Sequence, residues 1–458
     1  MKQRILVIGG VAAGPSAAAK AKRVNPDAEV ILFEQGEHIS YGVCEIPYYI
    51  GNVVTDAERL LVYTPQRLLK EKGVVAHVFH KVEEIIPSKR LLVVRNLQRN
   101  RVEEHRYNRL VVATGSRPRS LGIAGEEARN VFRVKSLEEA HALKKYITTE
   151  SVRSAAIVGG GYIGLEMAEA LSGIGIKTTM LHRSDLPLTG LEMATREAIR
   201  EQLKIHGVEF VPCQQVEGLT VDGTGKVTEV VTASARYAVD LVIICIGVDP
   251  NTELAQAARI RCGSRKGILT DQRQATNIDT VYAAGDCCEV KNLVNNKWMY
   301  IPLATTASKQ GWVAGENAAG GSATFKGVIR AIGVRAFDLE VAQVGISAKE
   351  AKESGFNIVA EEIVGNSRVG YFPGNAKVHI IAIADKKSGR LLGANVFGGN
   401  GAVLRANTLG VAIQQKLTLD EVARLDLIYT PPYAPMWDPI LITANQLKKR
   451  LTNKTSGG

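Results

Sequence analysis

A strand, a glycine-rich turn, a helix and a second strand follow one another twice in this chain. The first copy spans residues 4–34 and the second spans residues 154–182. Each copy is a βαβ unit of the dinucleotide-binding type, in which glycines let a pyrophosphate approach the N-terminus of the helix. The duplication predicts an α/β fold with two Rossmann-like dinucleotide-binding domains.

The second turn contains the complete GxGxxG pattern. Gly159, Gly161 and Gly164 are its glycines, and Tyr162 and Ile163 fill the last spacing. The pattern is specific here because it follows a predicted strand and opens a predicted helix. We therefore expect these residues to bind NAD(P)H.

The strand after this motif ends without the acidic residue that usually binds the ribose hydroxyls of NAD. His182 and Arg183 stand there instead and could pair with a 2′-phosphate, which favours NADPH over NADH. Glu166 lies one turn into the second helix, and we expect it to line the nicotinamide site.

The first turn departs from the GxGxxG pattern, because Val11 occupies the position of the middle glycine. Glu34 ends the next strand, where it can accept hydrogen bonds from ribose hydroxyls. Gly285 and Asp286 follow a distant apolar strand and could hold the rest of a long cofactor. One domain is therefore predicted to be split by an insertion that carries the second nucleotide site. The first motif consists of Gly9, Gly10, Val11, Ala12, Ala13 and Gly14.

Cys44 lies where a loop is expected to become a helix, and Pro47 fits the first turn of such a helix. A helix N-terminus stabilises a thiolate, which predicts a lowered pKa for Cys44. We expect the redox thiol of the protein here, beside the nucleotide sites. The other five cysteines, including the adjacent Cys287 and Cys288, are expected to be buried and inert.

The chain resembles the FAD-dependent pyridine nucleotide–disulfide oxidoreductases over essentially its whole length. The shared motifs are GGVAAG, SYxxC, ATGS, GGGYIGLEMAEA, IGVDPN and YAAGD, in this order. The resemblance implies an FAD domain, an inserted NAD(P)H domain and a C-terminal α+β dimerisation domain. It places Gly247 in the NAD(P)H site, and it adds three residues to the FAD site: Ala113, Thr114 and Gly115.

We predict five segments along the chain. Residues 1–112 and 246–324 are the two parts of the FAD-binding domain, and residues 113–245 are the NAD(P)H-binding domain between them. Residues 325–450 are the dimerisation domain, and residues 451–458 are a flexible tail.

The cysteine pattern is similar to the single-cysteine branch of this family. Glutathione reductase-like members have a CxxxxC dithiol, whereas Tyr49 stands five residues after Cys44 here. The branch includes coenzyme A-disulfide reductases, persulfide or sulfur reductases, NADH oxidases and NADH peroxidases. The oxidases and peroxidases typically carry a histidine in the first glycine loop, where this chain has Ala12. The chain therefore looks like the coenzyme A-disulfide or persulfide group.

The resemblance implies that Cys44 cycles between a thiolate and a mixed disulfide, and that the resting thiol is either a mixed disulfide with coenzyme A or a free thiolate near the flavin. Tyr429 of a partner subunit, with Tyr371, would protonate the departing thiolate in a homodimer. Val43, Phe372 and Trp437 depart from the family pattern and leave the substrate open. The residues similar to coenzyme A contacts are Ser16, Lys20, Arg23, Ser40, Lys72 and Tyr433.

Composition excludes several other classes of function. The net charge of +11 comes from 57 basic and 46 acidic residues, and it suits polyanionic ligands such as FAD, NAD(P)H and coenzyme A. The basic residues are dispersed, so nucleic acid is not expected as a partner. The cysteines lack metal-binding spacing, so no metal is expected. Neither a leader nor an apolar run of about 18 residues is present, which predicts a cytoplasmic protein without a membrane span.

Three rival functions remain at this point. An NADH oxidase would reduce oxygen through a sulfenate on Cys44, and a sulfur or polysulfide reductase would use the same machinery as a disulfide reductase. A flavoprotein electron carrier would need no thiol. A nucleotide sensor without catalytic activity would be a non-enzymatic alternative.

Overall fold

The N-terminal part of the chain forms a parallel sheet and an antiparallel sheet. The structure, a computed structural model, describes residues 2–452. Up to Val112 its elements are β1 (Arg4–Ile8), α1 (Ala13–Val24), β2 (Glu29–Phe33), α2 (Ile46–Ile50), α3 (Pro65–Lys72), β3 (Val75–His77), β4 (His80–Ile86), β5 (Leu91–Asn96), β6 (Arg101–Arg106) and β7 (Arg109–Val112).

The middle part contains the second βαβ unit. Its elements are β8 (Ser116–Pro118), β9 (Val131–Phe132), α4 (Leu137–Thr149), β10 (Ser154–Val158), α5 (Tyr162–Gly173), β11 (Lys177–Leu181), α6 (Met193–Ile205), β12 (Glu209–Val211), β13 (Val216–Val221), β14 (Val227–Thr232), β15 (Arg236–Ala238), β16 (Leu241–Ile244) and β17 (Val248–Pro250).

A return segment follows, and then a C-terminal α+β unit. The elements of the return segment are α7 (Glu253–Ala257), β18 (Val281–Ala283), β19 (Val290–Lys291), β20 (Trp298–Met299) and α8 (Ala304–Ala318). Those of the C-terminal unit are β21 (Ala331–Ala336), β22 (Leu339–Gly345), α9 (Ala348–Glu353), β23 (Ile358–Asn366), β24 (Lys377–Asp385), β25 (Leu391–Gly398), α10 (Ala402–Gln414), α11 (Leu419–Ala423) and α12 (Pro439–Thr452).

Two five-stranded parallel sheets confirm the predicted pair of Rossmann-like domains. The first sheet has the order β18-β7-β1-β2-β3, and the second has the order β12-β11-β10-β16-β9. Strand β18 completes the first sheet although the whole second sheet precedes it in sequence, so the second unit is inserted into the first. The chain leaves and returns through β8 and β17, which pair antiparallel. The exact domain limits drawn from the sequence remain a prediction.

The C-terminal unit is built on an antiparallel sheet with the order β21-β22-β25-β24-β23. Helices α10 and α12 contribute to its hydrophobic core. A second core joins this sheet to the NAD(P)H-type unit, because Phe337 and Phe397 are buried together with Ile199 and Leu203 of α6. Burial of these apolar side chains fixes the inserted unit against the C-terminal one.

Helix α12 corrects the predicted C-terminal tail. The helix continues to Thr452, so residues 451–452 are helical and not part of a flexible segment. Apolar residues of this helix, including Leu447, pack into the C-terminal core, which explains why it extends further. Residues 453–458, also assigned to the tail, lie outside the described residues. No helix within residues 2–452 is both long and apolar enough to cross a membrane.

Helices α1 and α8 approach closely through glycine. A Cβ atom at Gly311 would overlap the backbone carbonyl group of Ala13, which cannot move without displacing the first glycine turn. Gly311→Ala should therefore destabilise the protein by about 1–3 kcal/mol, despite the higher helix propensity of alanine. Thermal unfolding measures the loss. Gly173→Ala is the matched control, because no atom lies within 4 Å of its added Cβ. An unchanged unfolding temperature for Gly311→Ala would contradict this packing.

Candidate active site

The first glycine turn presents an unblocked helix N-terminus and a fixed carboxylate. Gly9 adopts a φ of 102°, and a Cβ at Gly14 would overlap the carbonyl oxygen of Gly9. Glu34 accepts hydrogen bonds from the N–H groups of Gly10 (2.6 Å) and Gly36 (2.8 Å). Burial raises the pKa of Glu34, while those donors oppose the rise. No side chain caps α1, so its first N–H groups can accept a pyrophosphate.

The middle glycine of the second motif is not crowded by the rest of the protein. A Cβ at Gly161 would come no closer than 3.9 Å to the backbone oxygen of Cys245. The protein itself therefore does not require a glycine there, which explains how Val11 is accommodated in the first motif. Ala12 is half-buried and Ala13 is buried at the start of α1.

The predicted far end of the FAD site lies beside the first turn. Ala113 donates from its N–H to the Ile8 carbonyl oxygen at 2.8 Å. The Thr114 hydroxyl donates to the Asn251 carbonyl oxygen at 2.6 Å, and Asn251 donates back to the Thr114 oxygen at 2.9 Å. The N–H of Asn251 also donates to the Gly115 oxygen, so the two strands that cross between domains are joined next to this site.

Asp286 is surrounded by groups that the sequence did not single out. Its Oδ2 atom accepts from the Ser116 hydroxyl and from the Lys135 ammonium group, both at 3.1 Å. The Tyr300 hydroxyl is buried and has no hydrogen-bond partner among the described residues, and its pKa is raised by burial and by Asp286. The unpartnered Tyr300 hydroxyl beside the Asp286 carboxylate fits the polyhydroxyl chain of FAD. Gly285, which precedes Asp286, donates from its N–H to the Gln310 side-chain oxygen at 3.0 Å.

The second glycine turn repeats the geometry of the first with a histidine in place of the acid. Gly159 has a φ of 112°, and Gly160 donates from its N–H to His182 Nδ1 at 3.0 Å. Because Nδ1 accepts, the ring proton lies on Nε2, which is buried and has no partner among residues 2–452. Burial lowers the pKa of His182, and Arg183 and Arg196 lower it further.

This geometry refines the predicted role of His182. The lowered pKa disfavours the imidazolium form, so His182 is not expected to meet a 2′-phosphate as a cation, and its Nε2–H is buried in this structure. Arg183 is exposed and supplies the positive charge at this end of the cleft. Gly247, which was also assigned to the NAD(P)H site, has a φ of 102°. Its carbonyl oxygen accepts a hydrogen bond from the Arg119 N–H at 3.0 Å.

Helix α5 carries the residues expected near the nicotinamide. Gly164 is buried against Gly159, and Tyr162 and Ile163 are half-buried at the start of the helix. Burial raises the pKa of the Tyr162 phenol to about 12. Burial and the nearby Glu169 carboxylate raise the pKa of Glu166 to about 7, so this acid changes its charge near neutral pH.

Cys44 lies between the two glycine turns. The thiol loop (residues 40–45) is tied to the first turn by the Ser40 N–H, which donates to the Gly10 carbonyl oxygen at 2.7 Å. Helix α2 follows the loop, and Gly51 at its end lies against Ala170 of α5. The loop is therefore bonded to the first glycine turn, and the helix that follows it packs against the helix that follows the second glycine turn.

The expected lowering of the Cys44 pKa is wrong. Burial raises the pKa of this thiol most strongly, and Glu45 and Glu166 raise it further, while Lys135 opposes them. Helix α2 has only five residues and begins at Ile46, two residues after the thiol, so its amide groups do not outweigh these effects. The side chain nevertheless reaches solvent.

Tyr49 occupies the position of a second thiol and is buried. Its hydroxyl lies 3.4 Å from His141 Nδ1, and its carbonyl oxygen accepts from the Lys144 ammonium group at 2.9 Å. Packing into the core around Ile50 keeps this side chain in place. Cys44 therefore has no thiol partner in its own loop, which agrees with the single-cysteine reading.

Two expected coenzyme A contacts lie on the face of α1 that meets α8. The Ser16 hydroxyl donates to the Ala12 oxygen at 2.8 Å and lies 3.1 Å from the Ser308 hydroxyl. The Lys20 ammonium group lies 2.8 Å from Glu316 and 3.7 Å from the centre of the Trp312 ring. Lys20 is therefore already paired, and a phosphate would have to share it with Glu316.

The remaining basic contacts lie on neighbouring surfaces. Arg23 is exposed at the end of α1. The Lys72 ammonium group, at the end of α3, lies 5.7 Å from the centre of the Tyr63 ring. Ser40 belongs to the thiol loop, so it is the member of this set that is nearest to Cys44 in the chain.

Three expected tyrosines lie on the surface of the C-terminal unit. Tyr371 is 82% exposed, Tyr429 is 48% exposed and Tyr433 is 76% exposed. The two segments that carry them touch where the Val369 N–H donates to the Pro431 carbonyl oxygen at 3.4 Å. Within one chain, the charged groups that shift the pKa of Cys44 most strongly do not belong to these two tyrosine segments.

Of the other cysteines, Cys245, Cys287 and Cys288 are buried, Cys262 is half-buried and Cys213 is exposed. Cys287 and Cys288 are buried with sulfur atoms 3.8 Å apart, so they are not bonded, and Cys287 donates to the Ala284 oxygen at 3.3 Å. Cys213 corrects the expectation of burial, because it is exposed in the turn after β12 with a φ of 56°.

Within residues 2–452 no group of acidic, histidine or cysteine side chains is arranged to hold a metal ion.

The electrostatics of the thiol predict opposite effects of two substitutions. Glu45→Gln should lower the pKa of Cys44 because it removes a nearby negative charge, whereas Lys135→Met should raise it. The pH dependence of alkylation by iodoacetamide measures both, in a Cys213→Ser background that removes the second exposed thiol. A shift in the same direction for both variants would contradict this account.

The raised pKa of Glu166 predicts a pH-dependent stability. The folded pKa of about 7 exceeds the ordinary value of 4.5, so the native state binds the proton more tightly and stability falls as pH rises between these values. Glu166→Gln should therefore raise the unfolding temperature more at pH 8 than at pH 5. Calorimetry of the FAD-loaded protein measures this, with the exposed Glu197→Gln as control. An equal change at both pH values would rule it out.

Two family patterns match the chain. The pyridine nucleotide-disulphide oxidoreductase pattern matches residues 3–311, and the dimerisation domain of the same family matches residues 333–439. The NAD(P)H sulfur oxidoreductase (CoA-dependent) of Pyrococcus abyssi is 33% identical over 449 residues, covering 98% of this chain and 99% of that protein.

Solved structures show the same architecture. Reduced CoADR-RHD from Bacillus anthracis superposes with a TM-score of 0.96 at 31% identity, covering 99% of this chain and 81% of that one. An engineered water-forming NADPH oxidase, derived from a Lactobacillus brevis NADH oxidase, has a TM-score of 0.94 at 27% identity, covering 99% and 100% of the two chains. The chain therefore belongs to the pyridine nucleotide-disulphide oxidoreductases, as an FAD- and NAD(P)H-dependent enzyme with a C-terminal dimerisation domain.

Proposed function

We propose that this enzyme uses NADPH to reduce coenzyme A disulfide, or a persulfide of coenzyme A, through Cys44 alone. The position of that thiol carries the proposal. The Cys44 loop is bonded to the first glycine turn, Asp286 and Glu166 from the two nucleotide-binding units both act on the pKa of the thiol, and the buried Tyr49 stands where a second thiol would be. The names of the Pyrococcus and Bacillus relatives point to coenzyme A chemistry.

The residues for FAD are the first glycine turn, Glu34, the Ala113–Gly115 loop and Gly285–Asp286, with Tyr300 added by the structure. When bound, FAD supplies the two-electron chemistry that connects NADPH to sulfur and reopens a mixed disulfide. The protein holds the thiol at a fixed place through the thiol loop and through the packing of α2 against α5.

The covalent step begins at the Cys44 sulfur. The thiolate attacks one sulfur of the substrate, the substrate S–S bond breaks, and a new S–S bond joins Cys44 to one coenzyme A moiety. The electron pair of the broken bond leaves on the other coenzyme A sulfur, so no net oxidation occurs in this step. Because burial and three carboxylates raise the pKa of Cys44, this attack is favoured by higher pH.

The leaving sulfur needs a proton donor. Tyr429, with Tyr371, is the proposed donor, supplied by the partner subunit of a homodimer. Support comes from the exposure of both phenols on the matched dimerisation unit, where an interface with a second copy would bury them. Tyr433, on the same segment, is proposed to contact the substrate, together with the basic residues of α1 and α3.

NADPH is the proposed coenzyme. His182, Arg183 and Ser184 follow β11 directly, where an acid would favour NADH. In the engineered NADPH oxidase an Asp-Ala-Met run has been changed to Ala-Arg-Ser, so a positive charge followed by serine accompanies NADPH use in that enzyme.

Oxygen reduction is the second candidate, because the Lactobacillus enzyme is a water-forming oxidase and Cys44 reaches solvent. The first glycine turn opposes it, since Ala12 offers no proton-transfer group to a sulfenate there. The two activities use the same thiol but consume different oxidants, so they are separated by measuring oxygen uptake beside disulfide turnover.

Cys44→Ser tests the proposal. The variant should still reduce its flavin when titrated anaerobically with NADPH, but its turnover of coenzyme A disulfide should fall by at least about 100-fold, since the serine hydroxyl cannot form the mixed disulfide. Cys213→Ser is the matched control, because it removes the other exposed thiol and should turn over like wild type. Normal turnover by Cys44→Ser would favour the thiol-independent electron carrier.

A further inference from the structure

The segment after β11 is closed into a ring on the second glycine turn. His182 Nδ1 accepts from the Gly160 N–H at 3.0 Å, and the Leu188 N–H donates to the Gly160 carbonyl oxygen at 2.9 Å. Residues 183–187, here named the selectivity loop, are therefore held to Gly160 at both of their ends. Their place beside the coenzyme motif means that a small change of loop shape moves Arg183.

Arg196 of α6 holds the far side of the selectivity loop. Its Nε–H donates to the Pro187 carbonyl oxygen at 3.0 Å, and Nη2 donates to the Leu186 oxygen and to Asp185 Oδ1, both at 2.8 Å. The side chain is only 12% exposed, although it is charged. The planar guanidinium reaches two carbonyl groups and a carboxylate together, which a lysine cannot do.

We propose that Arg196 is a positioning residue for coenzyme selectivity and that it acts by occupying the Asp185 carboxylate. Asp185 lies two residues after Arg183, whose exposed side chain has no ion-pair partner in the described part of the chain. A released Asp185 would compete for Arg183 and would repel the 2′-phosphate. With Asp185 held by Arg196, Arg183 is left for the phosphate.

This inference rests on the proposed use of NADPH, and it adds a residue that does not touch the coenzyme. Gly160 and His182 fix where the loop begins, whereas Arg196 decides which charge the loop presents. A residue that merely stabilised the fold would affect NADPH and NADH alike, so the two roles differ in a measurable way.

The test uses calorimetric binding of 2′,5′-ADP and 5′-AMP to the FAD-loaded protein, because these probes differ only in the 2′-phosphate. Arg196→Met should weaken 2′,5′-ADP by about tenfold and leave 5′-AMP unchanged. Adding Asp185→Asn to that variant should restore part of the lost affinity, because the competing charge is gone. Arg200→Met is the control, since it removes the same charge from an exposed position one turn further along α6.

Several results would overturn the role of Arg196. These are equal weakening of both probes, no recovery in the Arg196→Met/Asp185→Asn double variant, or the same loss in Arg200→Met. A preference for 2′,5′-ADP that is undiminished in Arg196→Met would overturn this role alone. Equal binding of both probes by wild type would overturn the NADPH assignment and the role of Arg196 with it.

Discussion

The hydrogen bond from the Ser40 N–H to the Gly10 carbonyl oxygen joins the thiol loop to the first glycine turn. That turn cannot shift on its own, because Gly9 and Gly14 are crowded against the backbone of Ala113 and of the turn itself. The site of Cys44 is thus set by the same close packing that shapes a nucleotide site. Helix α2 then carries this constraint to α5 and to the second nucleotide motif.

The charged groups that the protein places around Cys44 disfavour ionisation of the thiol to a thiolate. Glu45 and Glu166 disfavour it, and Lys135 favours it but is also paired with Asp286. Glu166 changes its own charge near pH 7, so protonation of this acid on the coenzyme side and ionisation of the thiol are coupled. The ionisation of Cys44 consequently depends on Glu166 of α5 and on Asp286 after β18, which supports the proposed relay between coenzyme and substrate.

The sequence predicted the fold because its signals are local, and the proposed site residues rest on equally local signals. The glycine spacings, the strand that ends at Glu34 and the tyrosine that replaces a second thiol can all be read from short stretches. The direction of the Cys44 pKa could not, because it depends on distant carboxylates and on a helix of only five residues. Ser116, Lys135 and Tyr300 were missed for the same reason, since tertiary contacts bring them to Asp286.

The central claim is that one thiol carries the substrate covalently. The most direct measurement is mass spectrometry of the protein after anaerobic reduction with NADPH, mixing with one equivalent of coenzyme A disulfide, and acid quenching within the first turnover. We expect one coenzyme A moiety in disulfide linkage on the peptide that contains Cys44, with a second coenzyme A released as free thiol. Rapid release of both as thiols with no adduct at any quenching time, or an adduct confined to Cys213, would contradict the account.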